Sequence, residues 1–508
     1  MSHLATLFAL LAGQAAAATP PYFAIRAADA DTGKGIPLVQ FRTSTYITLW
    51  TDSAGVAAFY EPGMMDQPVF FSVLTDGYEF RQNADPPYDP GLVLATTTGG
   101  LATVTLKRTQ IAQRLFRLTG SGLYRDSVLA GLPVPPTVRD RAVAEPASGS
   151  AAQDTVMTAS YRGVTMWTFG DTVCARSSRQ GNCDSAGMYT VGARSPPGGG
   201  SVPPALAYYA DGGDLPHPMA PIEPMERNTW IAALAVVDRG LPTETLFADY
   251  VKPSTGGGPD PDEFEGIAVW NDGAAEFQQI SRFPAPQNKS FSLNGAHTVQ
   301  RLSPADESEG FIYFAGTFVY LRVPGTAVAL ADYHSFEAVD ESGEWVRASS
   351  LPPARVAAGG AAGAGVATLT LGGGEGKVNI GSGSVEFVEG VQRYVFLGSG
   401  GDPGGLGVYV AFSDSLLGPW VNATLVASHS TSGASCYNGV HLPAMDEGST
   451  IHFACTYTSM WSSGGAGPGV DWNTCLFGLN PHAQCSPVVP RYEYNNLVYA
   501  VDLSELLG

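Results

Sequence analysis

Charge is scarce in this chain. Asp, Glu, Lys and Arg make up 15% of its 508 residues, and 27 basic residues face 47 acidic ones, for a formal net charge of −20. Such a surface repels phosphate backbones and anionic membranes, so no nucleic-acid partner is expected. Long apolar runs are also missing. Beyond the N-terminus no unbroken apolar stretch of about 18 residues occurs, which argues against a membrane span. No sustained i, i+3, i+4, i+7 stripe follows the N-terminus either, which excludes an architecture of long helices. Cys-x-x-Cys spacing is absent, and with it a zinc site of that kind. There is no Gly-x-Ser-x-Gly elbow, no Walker loop and no His-Glu-x-x-His. No cofactor is expected, although an oxygen-coordinated structural Ca2+ would leave little trace in a sequence.

What the chain does have is 61 glycines and 37 prolines among 44% hydrophobic residues. That composition suits many short strands joined by tight turns. Residues 1–18 form a short apolar segment ending in small residues, Ala15 to Ala18. It reads as a signal peptide, though without Lys or Arg at its start, and predicts a secreted, extracellular protein. The six cysteines, Cys174, Cys183, Cys436, Cys455, Cys475 and Cys485, suit disulfides in that compartment. Local pairing would join Cys174 to Cys183 and Cys475 to Cys485, leaving Cys436 with Cys455. The sequons at Asn288 and Asn422 fit the same secretory route and a glycoprotein.

Between Tyr22 and Arg108, six or seven short β-rich runs alternate with turns, the pattern of a β-sandwich. The turns carry Asp31-Thr-Gly-Lys-Gly35 and Thr51-Asp-Ser-Ala-Gly55, residues that tolerate left-handed backbone. Through "DADTGKGIPLVQ", "TDSAGVAAFYEPG" and "TDGYEF" this segment, residues 21–108, resembles transthyretin-like, carboxypeptidase-regulatory-like sandwiches. Such modules are usually accessory, so no catalysis is expected there. Residues 109–150 read as a connector. From 151 to 508, hairpins recur at intervals of about 40–80 residues, as in β-propeller blades with insertions. The hairpin count suits five or six blades.

The strongest chemical signal is Trp167-Thr-Phe-Gly-Asp171-Thr172, an apolar strand ending on a carboxylate. In a propeller such a strand end opens on the axial funnel. Asp184 follows after a loop bracketed by Cys174 and Cys183, so a disulfide would hold both carboxylates on one loop. Glycoside hydrolysis needs two carboxyl groups at a set separation. The plainer reading of Asp171 is a carboxylate that accepts from turn amides. Trp270 and Asp272 pair an aromatic with a carboxylate as sugar subsites do, yet Asn-Asp-Gly is equally an ordinary turn. His441 and the Glu493-Tyr494 pair are further candidates for substrate binding. Glu386 and Glu389 flank a hairpin tip.

"WTFGDT", "VYVAFSDSLLGPW" and "YEYNNLVYAVDL" resemble segments of five-bladed propeller glycoside hydrolases. Among these the chain is similar to a family long catalogued as of unknown function, members of which have been assigned as endo-D-arabinanases. The resemblance implies five blades and maps Asp171, with Asp184 as its partner, onto first-blade carboxylates. The expectation is therefore an all-β chain, an N-terminal β-sandwich plus a C-terminal five-bladed β-propeller, that cleaves an extracellular polysaccharide with two carboxylates. The alternative is a non-catalytic module that binds glycan or protein.

Overall fold

The computed structural model describes residues 21–82, 89–134, 150–174, 190–210, 216–225, 228–253, 263–284, 290–351, 367–372, 376–401, 407–428, 435–458 and 494–507. Among them strands dominate, and the longest α-helix, Ala327–Ala331, has five residues. No helix of the described residues is long and apolar enough to cross a membrane. The all-β expectation holds.

The N-terminal residues build two four-stranded sheets. One carries Val56–Phe59, Phe23–Asp29, Leu101–Arg108 and Tyr78–Glu79 in that order; the other carries Thr48–Trp50, Gln40–Thr43, Pro68–Leu74 and Gly91–Ala95. Both contribute to one apolar core that includes Ile25, Phe41, Phe71 and Leu106. The turns follow from their side chains. Asp29 Oδ1 accepts from the amides of Asp31 (2.9 Å) and Thr32 (3.0 Å), and Asp52 Oδ1 accepts from Ala54 (2.9 Å) and Val56 (3.1 Å). Gly55 closes the second turn at φ +77°, where a Cβ would stand 2.5 Å from the Ala27 carbonyl oxygen.

Among the described residues the rest of the chain builds five antiparallel sheets of four or five strands, here called I to V in chain order, and a two-stranded pairing of Ser150–Gln153 with Thr172–Cys174. Their first strands are Val156–Tyr161 (I), Trp230–Val237 (II), His297–Thr298 (III), Lys377–Val388 (IV, after an added edge strand Ala367–Thr370) and Ser435–His441 (V). Each of these inner strands packs beside the next, and sheet V returns to touch sheet I. Apolar clusters fill every gap between successive sheets. Met166 and Tyr250 lie between I and II, Phe247 and Phe314 between II and III, and Tyr313 and Phe396 between III and IV. Val410 and Phe453 lie between IV and V, and Trp167 and Val498 between V and I. A strand buried on both faces reads as an unbroken apolar run rather than an alternation, as in Ile231–Val237.

The ring is closed by a strand from its other end. Gln113–Arg117, inside the segment read as a connector, pairs antiparallel with Tyr494–Asp502 and becomes the outer strand of sheet V. The same strand holds the N-terminal sheets. Buried Arg114 donates to the carbonyls of Pro37 (2.9 Å), Leu38 (3.2 Å) and Asp76 and to Thr75 Oγ1 (3.3 Å). Nearby, the amide of Ser127 donates to Asp52 Oδ2 (2.7 Å) and that of Ala58 to Asp126 Oδ2 (2.8 Å). Within sheet V, Cys436 and Cys455 form a disulfide, as local pairing implied. Of the other two expected pairs, Cys183, Cys475 and Cys485 lie outside the described residues.

Phe116 is 1% exposed in the cluster between sheets V and I. Truncating it removes packing at the closure, so Phe116→Ala should cost about 3–5 kcal/mol. Urea unfolding of the variant beside wild type checks this.

Candidate functional site

Two groups of polar side chains converge on the ring axis. The first stands where the inner strands begin. Asp154 precedes the inner strand of sheet I, and Asp171 follows its antiparallel neighbour Val164–Phe169. Their register places Val156 opposite Phe169 and lets the Asp154 amide donate to the Asp171 carbonyl (3.1 Å). Asp171 is 7% exposed. Its Oδ1 accepts from the indole of Trp230 (2.9 Å) and the side-chain Nδ2 of Asn228 (3.3 Å), both at the start of the inner strand of sheet II. Burial pushes the Asp171 carboxyl up to about 7, the Asp154 charge adds to this, and the Trp230 bond opposes it.

Asp154 is partly exposed, and its Oδ1 accepts from the amide (2.6 Å) and hydroxyl (3.0 Å) of Thr155. Asn438 of sheet V donates to Thr155 Oγ1 (2.5 Å). Asn496 donates to the carbonyls of Gln153 (3.1 Å) and Asp154 (2.9 Å). Sheets I, II and V thus fix one pair of neighbouring carboxyl groups, one buried and one reachable from solvent.

The second group lies farther along the axis, in a small cavity lined by all five inner strands or the residues just beyond them. Thr158, Leu234, His297, Glu386 and His441 represent sheets I to V in turn. Glu386 Oε2 accepts from the amides of Gln300 (3.0 Å) and Arg301 (2.8 Å). Burial pushes its carboxyl up to about 7, against the pull of His441 and of those two amides. His441 Nε2 meets the Asp446 carboxylate at 2.9 Å, and Arg301 reaches the same carboxylate at 3.1 Å. Burial alone lowers His297 to about 4. Among the described residues no three His, Cys, Asp or Glu side chains are grouped to hold a metal ion.

The remaining sequence candidates fall elsewhere. Asp184 and Glu493 lie outside the described residues. Trp270 is buried, and its indole donates to Asp272 Oδ1 (3.0 Å). Asp272 Oδ2 also accepts from Tyr161 (2.9 Å) and Arg162 (2.7 Å), at the far end of the sheet I inner strand from Asp171. Tyr494 is 2% exposed at the start of its strand in sheet V. His441 belongs to the axial cavity with Glu386, which the sequence presents only as one side of a hairpin tip. Asp154, Asn228, Trp230 and Asn438 carried no separate signal. One trace was available: Asp154-Thr155 repeats the Asp171-Thr172 pair, and each stands at the end of an apolar strand.

No family model matches the chain, and no curated protein does. Among solved structures, a hydrolase-like protein of Bacteroides ovatus is 14% identical, with 73% of this chain and 90% of that chain covered and a TM-score of 0.45. An exo-1,5-α-L-arabinanase from a bovine ruminal metagenomic library is 10% identical over 61% of this chain and 89% of that chain, TM-score 0.31. An N-acetylgalactosamine deacetylase of F. plautii, in complex with blood group B trisaccharide, is 12% identical over 69% and 89%, TM-score 0.35. Likeness of this size assigns no activity, and the chain's own geometry carries the functional reading.

The raised carboxyls make stability depend on pH with a definite sign. Between an unfolded value near 4 and a folded value of about 7, the native chain holds protons at Asp171 and Glu386 that the unfolded chain has released. Native stability therefore falls as pH rises through that window. Asp171→Asn and Glu386→Gln should each flatten the fall, gaining roughly 1–3 kcal/mol relative to wild type between pH 4 and pH 8. Urea midpoints across that range, each variant beside wild type, measure the difference.

Proposed function

We propose that the chain is a secreted glycan-cleaving hydrolase. Its five sheets are the blades of a five-bladed β-propeller, and its N-terminal sheets form an accessory transthyretin-like β-sandwich. The observation that carries the catalytic reading is the Asp154–Asp171 pair. A carboxyl held protonated near neutral pH stands beside a second, more exposed carboxyl group at one mouth of the ring axis. Pairs of carboxyl groups in contrasting environments suit acid and base roles in one site.

Asp171 donates its proton to the glycosidic oxygen as the C–O bond to the sugar breaks. Asp154 acts on the opposite side of the sugar. It either takes a proton from an attacking water or bonds to the anomeric carbon until water displaces it. The gap between the two carboxyl groups with glycan bound selects the route, about 5–5.5 Å for retention and about 6.5–9.5 Å for inversion. Asp171 is then reprotonated, directly or through that water. Asp184, which follows Asp171 in the sequence, is the alternative partner. Asn228 and Trp230 hold Asp171 in place.

Reducing-end release from a panel of arabinans, xylans and other neutral polysaccharides tests this. Wild type should release ends, with the rate falling as pH rises through about 7, because Asp171 must carry its proton. Asp171→Asn and Asp154→Asn should each lower kcat by roughly 10²–10⁴, the usual weight of a general acid or base. Full activity in Asp154→Asn with loss in Asp184→Asn would move the partner role to Asp184. No release on any glycan would favour a binding module instead.

A further inference from the structure

The N-terminal sheets meet the rest of the chain at the end where Pro37, Leu38 and Asp52 are held, and along the edge strand Val56–Phe59, where the Ala58 amide donates to Asp126. The other end carries three tyrosines. Tyr22 and Tyr60 flank the paired residues Phe23 and Phe59, and their rings meet edge-on at 6.0 Å between centroids. Tyr60 is 49% exposed, and Leu101, two strands over on the same sheet, is 52% exposed. Tyr46 tops the turn after Gln40–Thr43. Thr45 of that turn touches Met64, in the short helix just beyond Tyr60.

Tyr46 is the unusual member. Its backbone sits at φ +66°, a conformation that a bulky side chain rarely adopts, and its side chain stands 78% exposed. The turn is tied down on all sides. The Tyr46 amide donates to the Thr43 carbonyl (2.9 Å), that of Thr43 to the Ile47 carbonyl (3.0 Å), and that of Ile47 to Thr43 Oγ1 (3.0 Å). Local strain persists only where its surroundings over-determine it, and it gathers at ligand sites. Here the strained residue presents an aromatic ring to solvent. The Arg42 guanidinium, 5.6 Å from the Tyr46 ring, is neutralised by Asp89 at 2.7 Å.

We propose that this end is a second, non-catalytic saccharide site that takes a neutral polysaccharide. Preordered tyrosines offer flat faces to the C–H faces of sugar rings, and their phenolic hydroxyls can exchange hydrogen bonds with sugar hydroxyls. With Arg42 paired to Asp89 and the Glu61 carboxylate beside Tyr60, this end would repel a polyanion and suits an uncharged polymer. The inference rests on the glycan reading above and extends it. Docked through Arg114, the site would hold one part of a polymer while the axial mouth works on another.

The test uses the full chain carrying Asp171→Asn, so that bound polymer stays intact, in native gels cast with soluble neutral polysaccharides. Retardation of this protein is expected, and adding Tyr46→Ala and Tyr60→Ala should weaken it about tenfold or more, as expected for truncated aromatic anchors. Unchanged melting temperature checks the fold. The tyrosine pair is also tested with Asp171 restored, on short soluble oligosaccharides, where cleavage should stay at the wild-type rate. Retardation lost with the tyrosines supports the site even if no hydrolysis is found. Equal retardation with and without them overturns it even if hydrolysis is found. Absence of retardation on every glycan, or tyrosine-dependent self-association in its place, also overturns it.

Discussion

A ring of sheets packed face to face has no free edge to spare at its axis, and every gap between neighbours must be filled. Here the last gap depends on Gln113–Arg117, which leaves the N-terminal part of the chain and hydrogen-bonds to Tyr494–Asp502. Its apolar residues Leu115 and Phe116 pack between sheets V and I, beside Trp167 and Val498. Its cationic neighbour Arg114 points the other way. A buried guanidinium needs its donors satisfied, and the acceptors come from Pro37, Leu38, Thr75 and Asp76 of the N-terminal sheets. Closure of the ring and seating of the N-terminal sheets therefore share one five-residue strand, and Asp126 and Ser127 complete the seat.

The candidate site inherits its electrostatics from that packing. Sheets pressed on both faces leave little water near the starts of the inner strands, and a carboxyl placed there resists ionisation. A raised carboxyl is not in itself a mark of function. Asp52 is raised to about 6, chiefly by burial, and serves a turn and the contact to Ser127. Glu386 is raised as far as Asp171, yet backbone amides occupy one of its oxygens deep on the axis. Asp171 differs in its company. The carboxyl group that adjoins it, Asp154, is partly exposed, whereas Asp126 beside Asp52 is buried; two side-chain donors aim Asp171, and both acids stand at an end of the ring where inner strands begin. The tyrosine-bearing end of the N-terminal sheets is the complementary case: its ordered feature is exposed aromatic surface.

Much of the architecture was legible in the chain. Short β-rich runs between turns that carry Asp and Gly marked the N-terminal strands, because left-handed turns impose those residues locally. Hairpins recurring along residues 151–508 marked the strands of the larger part, and Asp171 announced itself as a carboxylate on an apolar strand. The sequence alone could not show that Gln113–Arg117 belongs to sheet V, since its partner lies almost 400 residues away and pairing leaves no local trace. Nor could it join Asp154 to Asp171 across a hairpin register, or bring Asn228, Trp230 and Asn438 from two other sheets. Trp270 and Asp272 look like a sugar subsite in sequence, and the fold gives both to a network with Tyr161 and Arg162. Strand identity, turn chemistry and net charge depend on neighbours along the chain, and the sequence determined them by itself. The company each carboxylate keeps depends on how sheets close around an axis, and only the tertiary structure decided that.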